Sequence, residues 1–487
     1  MTGGPRDERP FRVAVIGAGM AGILSAIKLR ERDIECVVFE KADRVGGTWR
    51  DNTYPGLSCD VPAHSYTYTF ARNPDWSRWY AEGSEIQQYF QRVADEHGVM
   101  PLIRFGDEVT HLRYADGGWH LSTAAGHHDH FDAVIAATGV LHHPNVPRFD
   151  GIEAFDGAVF HSARWDHMVP LDGRRVGVVG TGSTAVQITS ALVPRVADFH
   201  LFQRTAQWVY PSPNPEYTDE QRAAFRADPA AHERLVQRLR NVMLDRVVSA
   251  VIDVDSPQHM EVERLCQEHL DTVRDPDLRW RLTPHYRAMC KRLVVSGDFY
   301  EAIQQPNAKL VTDPIERIEP AGVRTADGTL HDLDVLVMAT GFRADRFIRP
   351  TTVTGSGGVD LDSVWADGPV AYLSVTVPGF PNFFMLNGPN GPVGNFSLIE
   401  VAERQLDYSL QLIDAIRRRD FREISPTPDA TQRFEAERRA AAATTVWVTG
   451  CNSWYLDQHG VPASWTFSHE RFVAEMSGPR MDDFDAR

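Results

Sequence analysis

Apolar residues in this chain fall into short unbroken runs that end in glycine turns, and after each turn the apolar spacing lengthens to the helical period. Arg12 to Ile16 reads as a short buried strand, Gly17 to Gly22 as a turn, Ile23 to Arg32 as a helix and Glu35 to Phe39 as a second strand. His64 to Phe70 alternates into aromatic residues, and Gly83 to His97 reads as an amphipathic helix. Glu108 to Tyr114, Trp119 to Thr123 and Asp132 to Ala137 read as strands of a small meander. The same grammar restarts with a strand at Arg175 to Val179, a glycine turn, a helix, and a strand at Phe199 to Phe202. Pro215 to Trp280 then changes to helix formers, with Leu235, Leu239, Met243 and Val247 at helical spacing, a stripe that reads as plain core. Phe383 to Leu386 is a strand entering the turn Asn387 to Pro392, ahead of a helix from Leu398 to Arg418. The polar end, Ser477 to Arg487, reads as frayed.

One stretch repeats another. Gly126 to Gly139 lines up with Gly328 to Gly341, both ending Ala-Thr-Gly with the threonine twelve residues after the first glycine. Two similar α/β units are expected, with the second inserted into the first, because the chain after Gly341 is longer than a capping tail needs.

Composition narrows this picture. At 487 residues the chain exceeds one hydrophobic core and suggests about two to four domains. With 43% apolar and 24% charged residues it has a soluble balance, and no apolar run is long enough to span a bilayer. Met1 to Pro10 is polar, without the apolar core of a secretory signal, so the cytoplasm is the expected home. A net charge of -16 argues against nucleic acid and anionic membrane as partners. Cys36, Cys59, Cys266, Cys290 and Cys451 form no C-x-x-C pair, which disfavours a disulfide framework, a zinc site and a redox-active dithiol. Redox chemistry must then belong to a cofactor. His127, His128 and His130 fall in a polar turn and read as a solvated loop, so no metal is expected.

Two turns carry nucleotide chemistry. In Gly17-Ala18-Gly19-Met20-Ala21-Gly22, Gly17 permits the tight turn, Gly19 lets backbone approach a pyrophosphate, and Gly22 lets the helix pack close to the strand. The helix N-terminus offers N–H groups to the phosphates, and Glu40 ends the second strand where an acid can accept from ribose hydroxyls. The second turn is Gly180-Thr181-Gly182-Ser183-Thr184-Ala185, with Ala185 in the third glycine's place. Its second strand is followed by Gln203-Arg204-Thr205, not by an acid. An arginine there suits a 2′-phosphate, so NADPH is favoured over NADH.

Between the two turns, Phe155, Gly157, His161, Trp165 and Asp166 spell F-x-G-x-x-x-H-x-x-x-W-D. At this point the sequence resembles the Baeyer-Villiger monooxygenases, flavoenzymes that insert one oxygen atom of O2 beside a ketone. Gly46-Gly47-Thr48-Trp49, Tyr54-Pro55-Gly56 and Asp60 match a second signature of that family. The resemblance covers about residues 10 to 470. It departs in a compact insert and tail and in Gly460-Val461-Pro462-Ala463-Ser464-Trp465, which fits no family pattern; those departures leave the substrate open.

The resemblance implies an α/β fold with two Rossmann-like dinucleotide-binding domains of glutathione-reductase-like type. Residues 1–150 and 371–487 would form the FAD-binding domain, 151–215 and 285–370 the NADPH-binding domain, and 216–284 a helical insert that helps wall the substrate cavity. FAD would take the first turn, with Gly47, Thr48, Trp49, Asp60, Tyr66 and Val109 also at the cofactors. Arg292, held by Asp60, would be the catalytic arginine, stabilising a flavin C4a-peroxide and the adduct it forms. Lys291 would join Arg204 and Thr205 at the 2′-phosphate. Trp454 would reach the cofactor from a mobile loop spanning Trp447 to Asp457 that closes over NADP and substrate, and the turn Asn387 to Pro392 would lie near the flavin ring. The expected function is NADPH- and FAD-dependent oxygen insertion beside a ketone carbonyl to give an ester or lactone, by a monomer or weak homo-oligomer. Two alternatives are a flavin monooxygenase acting on nitrogen or sulfur and a non-catalytic flavoprotein. A disulfide reductase is excluded by the missing dithiol.

Overall fold

The structure is a computed structural model that describes residues 9–394 and 396–487. Most of the polar leader Met1 to Pro10 lies outside the described residues.

The first apolar run forms strand β1 (Arg12–Ile16), paired in parallel with β2 (Glu35–Glu40), which pairs with β3 (Ile103–Phe105). An antiparallel meander follows, β4 (Val109–Ala115), β5 (Gly118–Thr123) and β6 (His128–Phe131). The next strand, β7 (Ala133–Ala136), is not the meander's last member, as the sequence reading has it, but lies beside β1 in the parallel sheet. Its four residues are all buried, as an unbroken apolar strand covered on both faces must be. The meander is completed by β6, so His128 and His130 belong to a strand, not to a solvated turn. Among the described residues no cluster of potential ligands could hold a metal ion.

A second parallel sheet repeats the plan with β8 (Ala158–His161), β9 (Arg175–Val179), β10 (Asp198–Phe202), β13 (Ala308–Val311) and β17 (Val335–Met338), in the order β13-β10-β9-β17-β8. The short parallel pair β11 (Val209–Tyr210) and β12 (Val294–Val295) and the meander β14 (Ile315–Glu319), β15 (Gly322–Thr325) and β16 (Leu330–Asp332) complete this lobe. The repeat seen in the sequence is structural: Gly126 and Gly328 turn with φ of 84° and 86° just before β6 and β16. After β17 the chain returns. β18 (Thr352–Thr354) pairs with β4, and β19 (Phe383–Met385) pairs with β7, so the second nucleotide unit is inserted into the first.

Between β11 and β12 lie five helices, Asp219–Ala227, Pro229–Met243, Ser249–Ile252, Pro257–Leu270 and Pro276–Leu282, with one π-helical turn at Leu244–Val248. Their starts follow local chemistry: Thr218 and Gln221 make a reciprocal capping box, and Ser256 and Asp275 cap helices that open with proline.

Two further expectations are corrected. The C-terminal end is tied down: β21 (Phe484–Ala486) pairs with β20 (Ile424–Pro426), and the Tyr372 hydroxyl donates to Asp483 at 2.6 Å. Phe484 is the buried anchor, a single apolar residue that a polar composition conceals. The cysteines are not all unpaired: Cys290 and Cys451, 161 positions apart, form a disulfide with Cα atoms 6.1 Å apart. Such a pair has no short-range spacing to betray it, because only the fold brings its halves together. Among the described helices none is long and apolar enough to cross a membrane.

Candidate active site

The first glycine turn leads from β1 into the helix Met20–Arg30, whose N-cap, Gly19, provides no side-chain hydrogen bond. The N–H groups of its first turn are therefore left for a ligand. A Cβ at Gly22 would stand 1.8 Å from the Gly17 carbonyl oxygen, so only glycine lets the helix sit this close to the turn. Glu40 is buried at the end of β2. Its Oε2 accepts from Ala18 N at 2.7 Å, and its Oε1 accepts from Ala42 N at 2.9 Å and pairs with Arg50 at 3.0 Å. The carboxylate thus shapes the turn, with acceptor capacity left for a ribose.

Gly47 and Thr48 open the short helix Thr48–Asp51 at the cavity wall. Trp49 Nε1 donates to the Tyr66 hydroxyl at 3.2 Å, and Val109 lines the same cavity. Tyr54 donates to Gln187 Oε1 at 2.9 Å, which seats the second signature on the helix Ser183–Leu192 that follows the other glycine turn. The two turns therefore share a wall.

That second turn is built like the first. Gly182 is an N-cap without a side-chain hydrogen bond, Ser183 starts the helix, and Ala185 is fully buried. A Cβ at Gly182 would meet nothing within 4 Å, which leaves open space where a pyrophosphate would lie; the turn is closed by Thr181 Oγ1 donating to the Thr205 carbonyl at 2.8 Å. Arg204 and Lys291 both line the cavity, and among the described residues neither makes an ion pair. Burial, and then the charge of Arg204, push the Lys291 pKa down. Two close cations without a carboxylate suit a phosphate.

Arg292 comes to the cavity just before β12, with Nε 3.1 Å and Nη2 2.5 Å from one oxygen, Oδ2, of Asp60. The pair was expected from the resemblance, and the fold brings its members together across 232 positions. The attraction of Asp60 holds the Arg292 pKa well above its ordinary value against the cost of burial. The two side chains keep 37% and 22% of their surfaces open, and both line the cavity. Trp454 is 43% exposed at the same cavity.

The cavity holds about 1510 Å³, more than the roughly 300–1,000 Å³ of a site for one small ligand. Leu239, Met243 and Val247 line it while Leu235 does not, so the stripe is not plain core throughout: the helix Pro229–Met243 buries His232 and Val236, and its neighbouring residues and Val247 in the turn beyond reach the cavity. None of the five fingerprint residues lines it. Phe155, His161 and Trp165 are buried, and Gly157 lies so close to Asp334 that a Cβ would stand 2.3 Å from its carbonyl oxygen; Asp166 caps its own turn through Met168 N at 2.9 Å. The fingerprint packs the edge strand β8 and the chain leaving it. Two residues from stretches the resemblance places at the cofactors, though given no role of their own in the sequence, also face the site. Tyr455 is buried beside Arg292, and Asn387 lines the cavity with a buried Oδ1 that has no partner among the described residues. Two uncapped helix ends, an unneutralised cation pair and this orphaned acceptor fit a pair of dinucleotides with a reacting centre between them.

The family model for flavin-binding monooxygenase-like proteins matches residues 10–350 of the chain. An uncharacterized monooxygenase of Mycobacterium tuberculosis is 47% identical over 476 residues, covering 98% of this chain and 96% of that protein. A Baeyer-Villiger monooxygenase of Streptomyces coelicolor is 38% identical over 461 residues, covering 92% of this chain and 87% of that protein. Among solved structures, cyclohexanone monooxygenase from Rhodococcus sp. Phi1 bound to NADP+ superposes with a TM-score of 0.88 at 30% identity, covering 98% of this chain and 100% of that one.

Proposed function

This chain belongs to the flavin-binding monooxygenase-like family and takes FAD and NADP as cofactors; from that premise we propose that it inserts one oxygen atom of O2 beside a ketone carbonyl, giving an ester or lactone. The observation that carries the reading is the Arg292–Asp60 pair, set in one cavity between two uncapped glycine turns. FAD and NADPH held at the two glycine turns would supply the electrons that activate O2.

The chain's own residues do the rest. Arg292 holds negative charge that develops on oxygen beside the reacting carbonyl, and Asp60 fixes the plane of its guanidinium. With the nucleotides displacing water from the cavity, such a donor stabilises charge without reorganising. Arg204, Lys291 and Thr205 hold the 2′-phosphate, so NADPH is preferred to NADH. Trp49 and Tyr66 exclude water along the first nucleotide, and Leu239, Met243 and Val247 offer the ketone an apolar wall. A cytoplasmic location belongs to the same reading; thiol-reducing conditions there would make the Cys290–Cys451 bond condition-dependent.

The test is kcat/KM measured side by side for cyclic, aryl and long-chain ketones, sulfides and tertiary amines. The reading expects ester or lactone from at least one ketone class, at a higher kcat/KM than any sulfoxide or amine oxide. Turnover of sulfides or amines alone would replace it with nitrogen or sulfur oxygenation, and FAD binding without NADPH consumption would replace it with a non-catalytic role.

A further inference from the structure

Asp60 engages only one side of the Arg292 guanidinium: Nε and Nη2 both point to its Oδ2, which leaves Nη1 outside the pair. Near Nη1 lies Gly394, with φ of 86°, and a Cβ built there would stand 3.2 Å from Nη1 and 2.1 Å from the Tyr455 hydroxyl. Glycine therefore leaves the room in which phenol and guanidinium meet. Tyr455 is 5% exposed and lines the cavity, and its hydroxyl and Arg292 Nη1 border the same space at Gly394. Burial raises the phenol pKa, so the hydroxyl is neutral and competes with no anion for the arginine's charge.

Tyr455 also belongs to the segment that carries Trp454. The two rings lie 4.2 Å apart between centroids at 32°, and Trp447 packs on Tyr455 at 5.4 Å. The root of this segment, Cys451, is bonded to Cys290, two residues before Arg292. A covalent link at one end and a phenol at the other thus join this cavity-lining segment to the stretch that holds the arginine.

We propose that Tyr455 is a positioning residue: its hydroxyl holds the free edge of Arg292, so that the segment 451–457 and the guanidinium are held in place together. The arginine's role rests on the proposed function; the coupling between segment and arginine does not. With Asp60 on one edge and Tyr455 on the other, the guanidinium loses rotation about its own axis, and its remaining N–H bonds point to one place in the cavity.

Hydrogen–deuterium exchange of the FAD-loaded enzyme with saturating NADP+ and no ketone tests this directly. Tyr455→Phe keeps the ring and loses the hydroxyl. It should raise exchange in the 451–457 peptide by about tenfold, the scale of one hydrogen bond to a charged group. Arg292→Ala should raise exchange in that same peptide to a similar extent, and the double variant should exchange no faster than either single one. Arg292→Lys, which keeps the charge without the planar fork, replaces Arg292→Ala if the latter fails to fold. In turnover, Tyr455→Phe should lower kcat for product about tenfold at unchanged ketone KM and unchanged NADPH-driven flavin reduction. Wild-type exchange in the arginine variant, or strictly additive effects in the double variant, would overturn the coupling. If the wild-type enzyme oxygenated no ketone, the proposed function would fail while the exchange cycle still decided the role of Tyr455.

Discussion

Replacing Arg292 by alanine probes the chemistry at its centre. Asp60 Oδ2 then loses donors at 2.5 and 3.1 Å while its side chain keeps 22% of its surface open. Breaking a fully buried pair costs about 3–5 kcal/mol, but here water can enter from the cavity and replace the donors. A loss of about 1–2 kcal/mol is therefore expected, with a melting temperature lowered by a few degrees. The glycine turn at Gly17 to Gly22 is untouched, so FAD is retained. Catalysis suffers more: a donor aimed at developing charge is worth about 10²- to 10³-fold in rate. Ester measured by gas chromatography should fall by that factor, while NADPH oxidation continues and its reducing equivalents leave as hydrogen peroxide. Arg292→Lys should recover little, because an ammonium cannot present the fork that Asp60 holds. Ester formed by Arg292→Ala at the wild-type rate would refute the role given to this residue and withdraw the argument for ketone chemistry.

Arg204→Ala should raise the KM for NADPH and leave NADH kinetics nearly unchanged, as loss of a ground-state contact to the 2′-phosphate requires; an equal penalty on both cofactors would move the phosphate site elsewhere. Burial pushes the pKa of His64, His142 and His200 down to about 4 in the folded protein. The unfolded chain therefore binds more protons between about pH 6.5 and 4, and stability falls with pH across that window, by about 3 kcal/mol for each histidine that stays buried. Thermal unfolding scanned from pH 7.5 to 4.5 should show the fall, and a flat profile would contradict it. Reductant should lower the melting temperature of the wild type by opening Cys290–Cys451, within the limit of about 5 kcal/mol that closing so long a loop can supply, and should leave Cys451→Ser unmoved. A wild type indifferent to reductant would show the bond absent in solution.

Much of the frame was legible because its signals are local. Gly17, Gly19 and Gly22 sit between an apolar run and a helical period, and their spacing alone identifies the turn. The pairing of Gly126 to Gly139 with Gly328 to Gly341 revealed two similar units, since each stretch carries its own meander strand into a buried parallel one. What stayed hidden depends on contacts far apart in the chain. Nothing near Ala133 says that β7 lies beside β1. The Cys290–Cys451 bond and the approach of Tyr455 to Arg292 also need the tail to return to the first sheet. The stripe Leu239, Met243 and Val247 shows a third limit: helical spacing marks an apolar face, but only packing says whether that face meets core or cavity. The fingerprint from Phe155 to Asp166 was the plainest motif in the chain, yet its residues pack β8 and stand back from the cavity. It points to the family without touching the chemistry.

The most direct measurement is mass spectrometry of the product made from an accepted cyclic ketone under 18O2 in unlabelled water, with NADPH consumption followed in parallel. The account predicts a lactone with a single heavy oxygen in the ring, an unlabelled carbonyl oxygen, and one NADPH used for each lactone formed. A lactone without label, or label recovered only in sulfoxide or amine oxide while every ketone is returned unchanged, would contradict it.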